Sequence, residues 1–239
     1  MHSRKLLFAF WLLLWPLLLA SLLCPLRLGM IRLSVALCLP LLWAGALWLG
    51  YSRKPVRVFC LALPLLALCL LLPGRPADPV TLQRAYTTSL RRYENTPYMW
   101  GGGNRRGLDC SGLVARGLMD ADLSIGLRTA NPRLLRQGFS LWWHPCTAEA
   151  LGSGYDGRTR FLRMTARLNT LDYGLLQPGD LAVTNGGGHV MAYLGDKTWI
   201  EADPSLLQGD KVVTVQIPSH IAWFGERIRL MRWQQMDGN

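Results

Sequence analysis

Apolar residues are concentrated at the start of the chain. Three nearly continuous apolar stretches lie at residues 6–26, 33–51 and 58–72. The first two reach the roughly 20 residues that a helix needs to cross a bilayer. The third is shorter, so the pattern leaves open both a third span and an interfacial or re-entrant segment. We therefore expect residues 1–73 to form a transmembrane anchor of two to three helices.

The pattern changes at residues 74–79, a turn-rich segment that we interpret as a linker. Asp78 followed by Pro79 is a helix start signal, because aspartate caps the free amides of the first turn and proline suits the first helical position. This helix is expected to reach about Tyr93, and a second one is expected to begin at Cys110.

Period-2 alternation and turn residues dominate the last third of the chain. They predict strands at residues 181–184, 189–194, 198–202, 211–217 and 227–233, with the second and third forming a hairpin. Helices followed by strands are typical of an α+β domain. We expect residues 80–239 to form that domain.

The basic charge follows the apolar stretches. The first 73 residues carry seven basic and no acidic side chains, and the remaining 19 basic and 15 acidic residues give only +4. Basic residues that flank apolar spans set membrane orientation, so the charge gives little support for a nucleic-acid partner.

The orientation depends on the number of spans. If three segments cross, Arg4, Lys5 and the loop at residues 52–57 stay in the cytoplasm, opposite Arg27 and Arg32, and the folded domain lies outside. If only two cross, the domain lies inside. The first apolar run is longer than a signal-peptide core and lacks a small-x-small cleavage pattern after it, which favours a retained anchor.

Six cysteines are present, and four of them lie in the apolar stretches, where they are expected to be small packing residues. No spacing typical of a zinc site occurs, so we expect neither a metal nor another cofactor. Cys110 and Cys146 remain as candidates for chemistry.

Cys110 has the setting of a nucleophile. The start of a helix stabilises a thiolate, and Asp109 is the expected helix cap. His189 follows three glycines and begins a predicted strand, which would expose its imidazole as a base. If the hairpin loop has an odd number of residues, Glu201 and Asp203 return on the face of His189, and either carboxylate could orient the ring.

Four motifs are similar, in order, to those of the NlpC-type cell-wall cysteine peptidases: YMWGG at 98–102, DCSGLV at 109–114, PGD at 178–180 and GHVMAYLG at 188–195. The resemblance covers roughly residues 80–204. It implies a papain-like α+β fold, Cys110 as nucleophile, His189 as base, and hydrolysis of γ-D-glutamyl to diamino-acid bonds in peptidoglycan stem peptides. It also implies that Tyr98, Asp109 and Ser111 line the substrate site.

The chain departs from the family pattern in two places. The family's third polar residue, often histidine, corresponds to Glu201, which we favour over Asp203 as the orienting residue on this ground. The 79 positions from Cys110 to His189 also exceed the usual spacing, which suggests an insertion at about residues 134–171. This insertion could be a lid, a patch on the membrane, or a surface excursion with its own small core.

The expected function is therefore a peptidase held at the bacterial inner membrane, with its catalytic domain outside the cytoplasm. Two alternatives stay open. One is a papain-like amidase, thioesterase or acyltransferase on a lipid-linked substrate, because the same Cys and His serve any acyl transfer. The other is an inactive membrane-anchored module that binds a peptide or an unidentified membrane protein.

Overall fold

The computed structural model describes residues 2–165, 167–205 and 209–237. A few positions of the predicted insertion, of the loop after the predicted hairpin, and of the chain end lie outside these ranges. The helices are α1 His2–Leu23, α2 Gly29–Gly50, α3 Lys54–Cys69, α4 Pro79–Arg91, α5 Cys110–Arg128, α6 Pro132–Trp143 and α7 Ala148–Gly152.

The N-terminal helices pack against one another. Leu14, Leu18, Val35, Cys38 and Leu42 form a small buried cluster between α1 and α2. Two stretches, Lys5–Leu23 and Gly29–Gly50, are long and apolar enough to cross a membrane. The α3 helix is only 16 residues long and lies against α2, where the Trp43 indole donates to the Cys60 carbonyl at 2.8 Å.

Both helices predicted from capping signals are present. Asp78 accepts a hydrogen bond from the Thr81 amide at the start of α4, and Pro79 occupies its first turn. Asp109 accepts from the Gly112 amide at the start of α5. Twelve of the 19 residues of α5 are buried, because α4, α6 and the sheet pack against it.

The strands are β1 Gly103–Asn104, β2 Gly107–Leu108, β3 Thr159–Thr165, β4 Leu181–Thr184, β5 Val190–Gly195, β6 Thr198–Asp203, β7 Lys211–Gln216 and β8 Ile228–Trp233. In the described part of the chain, six of them form an antiparallel sheet in the order β3-β8-β4-β5-β6-β7. The five predicted strands are confirmed, and each predicted boundary lies within one residue of the observed boundary.

The hairpin parity is as predicted. Met191 and Tyr193 share one sheet face with Trp199, whereas Val190 and Ala192 face the helices. Asp180, from the PGD motif, forms a buried ion pair with Arg232 on β8, with nitrogen–oxygen distances of 2.7 and 2.8 Å. This pair fixes the start of β4 against the neighbouring strand.

Residues 134–171 contribute directly to the main domain. They supply most of α6, all of α7, and β3, which pairs with β8 at the edge of the sheet. Leu134, Leu141 and Leu151 belong to the main hydrophobic core. The alternative of an excursion with its own small core is therefore wrong, because the apolar side chains of this segment complete the core under the sheet. β1, β2 and β3 were not predicted.

The chain is thus an α+β protein with an N-terminal bundle of apolar helices. α4 and α5 pack on one face of the sheet, and the other face is covered by a second cluster that includes Leu168, Trp199 and Phe224.

Candidate active site

Cys110 is the first residue of α5, and the local structure around it is set by Asp109. One carboxylate oxygen of Asp109 accepts from the Gly112 amide at 2.5 Å, and the other accepts from the Gly101 amide at 2.9 Å. A Cβ on Gly112 would lie 2.1 Å from the Gly102 carbonyl oxygen, so only glycine permits this close approach. The thiol therefore stands at a helix N-terminus beside a tightly packed glycine loop.

His189 immediately precedes β5 and is nearly fully buried, so the expected exposure of its imidazole is wrong. Its backbone amide donates to the Thr184 hydroxyl at 2.8 Å, which anchors the residue to β4. Its Nε2 lies 2.5 Å from Glu201 Oε2, and the Cys110 side chain is close enough to the ring to help raise the pKa of the imidazole. The structure thus brings Cys110, His189 and Glu201 into one line of contacts.

The charges in this line favour a protonated imidazole. Burial by itself lowers the pKa of His189, but hydrogen bonds and charges from Cys110 and Glu201 outweigh burial and raise the pKa to about 9. Burial raises the pKa of the Glu201 carboxyl, and the hydrogen bond from His189 opposes that rise. The protonated imidazole is therefore the state of His189 that these contacts stabilise at neutral pH.

Asp203, the competing carboxylate, is engaged elsewhere. Its Oδ1 accepts from the Ser205 amide at 2.7 Å, in the turn that follows β6. Both Glu201 and Asp203 are fully buried, but of these two described carboxylates only Glu201 is hydrogen-bonded to the His189 ring. Strand parity alone could not separate the two carboxylates; in the structure Glu201 contacts the histidine ring and Asp203 contacts the turn after β6.

The other predicted site residues also lie close to Cys110. Asp109 and Ser111 flank it in the chain, and the Ser111 hydroxyl donates to Asp109 Oδ1 at 3.0 Å. Tyr98 is partly buried; burial, followed by the nearby charges of Cys110 and Asp109, raises the pKa of its phenol. The structure therefore gathers Tyr98, Asp109 and Ser111 around the thiol.

Cys146 is close to this site but has the character of a core residue. Its side chain is 3% exposed, and burial raises the pKa of its thiol to about 11. The backbone carbonyl of Cys146 accepts from the Ser111 hydroxyl at 3.1 Å. At neutral pH this thiol is protonated and enclosed.

Two contacts at the site were not predicted. The Trp223 indole stacks on the His189 imidazole, with ring centroids 4.6 Å apart and an interplanar angle of 17°. The Arg27 guanidinium, from the loop between α1 and α2, forms an ion pair with Asp109 at 2.7 Å. Neither residue belongs to a motif, and no local signal in the sequence marks either of them.

No group of three or more His, Cys, Asp or Glu side chains within the described residues is arranged to hold a metal ion. The chemistry that the site can perform on its own is nucleophilic attack by a thiolate on a carbonyl carbon.

The sequence matches the NlpC/P60 family over residues 95–216, just over half of the chain. The chain belongs to the NlpC/P60 family. The matched region contains Cys110, His189 and Glu201 and excludes the three N-terminal helices. No curated protein matches the chain.

Solved NlpC/P60 structures resemble the chain over about two thirds of its length. A family protein from Bacillus cereus is 17% identical, with a TM-score of 0.41, and the match covers 67% of this chain and 41% of that one. The peptidoglycan hydrolase RipB from Mycobacterium tuberculosis is 20% identical, with a TM-score of 0.42 and coverage of 66% and 67%. A lipoprotein-like family protein from Staphylococcus aureus is 22% identical, with a TM-score of 0.40 and coverage of 67% and 43%.

Proposed function

We propose that this NlpC/P60 protein is a membrane-anchored cysteine endopeptidase that hydrolyses peptide bonds in peptidoglycan stem peptides. NlpC/P60 proteins include cysteine-type peptidoglycan hydrolases, which supports a cell-wall peptide as substrate. The observation that carries the proposal is the line of contacts from Cys110 through His189 to Glu201.

In the proposed reaction the Cys110 thiolate attacks the carbonyl carbon of the scissile bond. The backbone amide of Cys110, free at the helix start, donates to the developing oxyanion. The His189 imidazolium then gives its proton to the leaving amine, and an acyl-thioester forms. Water, deprotonated by His189, hydrolyses the thioester and restores the thiol. Glu201 holds Nε2, which leaves Nδ1 to exchange protons with the sulfur.

The membrane anchor is supported by the surface of the N-terminal helices. Large apolar side chains point outward along all three of them, including Leu13 at 67%, Leu33 at 54% and Leu66 at 67% exposure. A continuous apolar surface of this extent in a single chain indicates contact with lipid or another apolar partner. Lys54 and Arg57 at the start of α3 are suited to the lipid headgroup region.

The contacts between the helices and the catalytic domain support three spans. The loop between α1 and α2 is hydrogen-bonded to the glycine loop before Cys110, since the Arg27 amide donates to the Gly101 carbonyl at 2.9 Å. The end of α3 reaches the same domain, where Arg136 donates to the Leu72 carbonyl at 2.8 Å. The α2–α3 turn lies at the other end of α2. It is about 33 Å from the loop between α1 and α2, because α2 has 22 residues and each adds about 1.5 Å of length.

If α2 crosses a bilayer, α3 must therefore return across it. The 16 residues of α3 extend about 24 Å, a shortfall that local thinning and the basic residues at its start can accommodate. The basic residues of the α2–α3 turn and of the N-terminus would then face the cytoplasm. The catalytic domain would lie outside, facing the wall.

The lipid-linked alternative has one observation in its favour. A cavity of about 500 Å³ lies between the N-terminal helices and α5 and α6, with Val35, Leu39, Met119 and Phe139 among its lining residues. Its lining includes neither Cys110 nor His189, so the cavity does not present an apolar chain to the thiol. A peptide substrate is the better match to the site.

The test is hydrolysis of muropeptides by the purified full-length chain in detergent, followed by mass spectrometry. Wild-type protein and Cys146→Ser should release the same fragments, because the Cys146 thiol is buried and protonated. Cys110→Ala should release none. Activity that disappears with Cys146→Ser in a folded protein, or that persists in Cys110→Ala, would show that the nucleophile is misassigned. Absence of any cleavage by the wild type would contradict the peptidase function.

A further inference from the structure

The loop between the first two helices is built into the active site. The Gly103 amide donates to the Pro25 carbonyl at 2.8 Å, and the Asn104 side chain donates to the Cys24 carbonyl at 2.9 Å. Leu26 also forms a β-bridge with Gly102. Residues 24–27 therefore add a short extended segment to the glycine loop that precedes Cys110.

This segment delivers the Arg27 guanidinium to the residues on either side of the nucleophile. Its Nη2 donates to both Asp109 oxygens at 2.7 Å and to the Ser111 hydroxyl at 2.9 Å. Its Nη1 donates to the Cys146 carbonyl at 3.2 Å. The Arg27 side chain is only 21% exposed, so it is enclosed rather than lying loosely on the surface.

The glycine loop is shaped to admit this arginine. A Cβ on Gly103 would lie 2.6 Å from the Cγ of Arg27, so a larger residue there would displace the side chain. The backbone pairing and the missing Cβ hold Arg27 in one position. The cation is therefore a fixed part of the site.

The ion pair changes the charge that a substrate meets. Without Arg27, the Asp109 carboxylate beside Cys110 would attract a cationic substrate group such as a free ammonium. With Arg27 in place, the carboxylate is neutralised and both of its oxygens already accept hydrogen bonds, from Arg27 and from the Gly101 and Gly112 amides and the Ser111 hydroxyl. An ammonium would have to compete with the guanidinium for the same oxygens.

We propose that Arg27 is a specificity-determining residue of the hydrolase site. By pairing with Asp109 and Ser111, Arg27 makes this subsite accept a stem peptide whose amino group is acylated and uncharged. This inference rests on the proposed peptidase function. Such a peptide is one that is still joined to its glycan strand through an amide, whereas a stem peptide already released from the glycan carries a free ammonium. The N-terminal helices would thereby select the substrate as well as hold the enzyme at the membrane.

The experiment compares two stem peptides that differ only at the amino terminus, one free and one acetylated. The wild-type full-length chain should prefer the acetylated peptide in kcat/KM, mainly through a lower KM. Arg27→Gln should shift the ratio of the two kcat/KM values by about tenfold or more toward the free peptide, because the Asp109 carboxylate is released. Arg27→Lys, which keeps the charge, should stay within about threefold of the wild-type ratio.

Arg106→Gln is the matched control, since Arg106 lies in the same loop before Cys110, is exposed, and has no hydrogen bond or ion pair to Asp109 or Arg27 in the described part of the chain. Its ratio should equal that of the wild type. A wild-type preference for the free peptide, or an unchanged ratio in Arg27→Gln while both peptides are cleaved, would overturn the role of Arg27 and leave the peptidase function standing.

A second measurement needs no hydrolysis. The rates at which cationic and anionic methanethiosulfonates modify Cys110 report the charge beside the thiol, with Cys110→Ala as the background for the other cysteines. Arg27→Gln should raise the ratio of cationic to anionic rates by about tenfold. If no peptide is cleaved but this ratio rises, the peptidase function fails and the charge role of Arg27 stands; an unchanged ratio rejects that role.

Discussion

At the scale of single residues, the decisive contact is the one between His189 and Glu201. Glu201 contributes to raising the pKa of His189 to about 9, and Asp203 does not take part in that shift. The imidazolium is present below that pH and is lost as the pH rises through it, so kcat/KM should fall on the alkaline side near pH 9.

Glu201→Gln should lower kcat by about 10²-fold. It should also move the alkaline fall in kcat/KM, the alkaline limb of the pH–rate profile, to lower pH, because the carboxylate that favours the imidazolium is gone. Asp203→Asn should have a smaller effect on kcat and leave the limb in place. The measurement is the pH–rate profile of each variant, with circular dichroism to confirm folding. A larger loss and a shifted limb in Asp203→Asn would mean that Asp203 orients the histidine.

At the scale of elements, a 3-10 turn at Ala222–Gly225 holds the Trp223 ring on the imidazole. Phe224 is fully buried and anchors this turn against the sheet. The stacked indole covers one face of the His189 ring, which restricts rotation of the ring. We therefore predict that Trp223 positions the histidine and does not bind the substrate.

Trp223→Leu should lower kcat by roughly tenfold with little change in KM, because the imidazole then samples more orientations. Trp223→Phe, which keeps an aromatic face, should recover most of the loss. Steady-state kinetics on a muropeptide gives the split between kcat and KM. A rise in KM with unchanged kcat would instead assign Trp223 to substrate binding.

At the scale of the whole molecule, the two attachments of the helical bundle to the catalytic domain predict the membrane topology. A periplasmically active reporter fused after residue 239 should be active, and a cytoplasmically active reporter at the same site should be silent. Fusions after Arg53, in the α2–α3 turn, should give the opposite result. Strong cytoplasmic activity after residue 239 would support two spans and a domain inside the cell.

Much of this protein could be derived from the sequence by itself, because the signals are local. The Asp78–Pro79 cap and the helix start at Cys110 depend on neighbouring residues, and the alternation that places Glu201 on the face of His189 spans a single hairpin of 12 positions. The apolar stretches likewise predict helices from composition alone. These signals were sufficient for the α+β class and for the candidate residues Cys110 and His189.

Only the tertiary structure decided which distant residues meet. Arg27 contacts Asp109 across 82 positions of the chain, and β3 joins the sheet by pairing with β8. The choice of Glu201 over Asp203 depends on how the turn after β6 engages Asp203, and the stacking of Trp223 depends on where Phe224 is buried. Such contacts follow from the packing of the whole core, which no short stretch of sequence encodes.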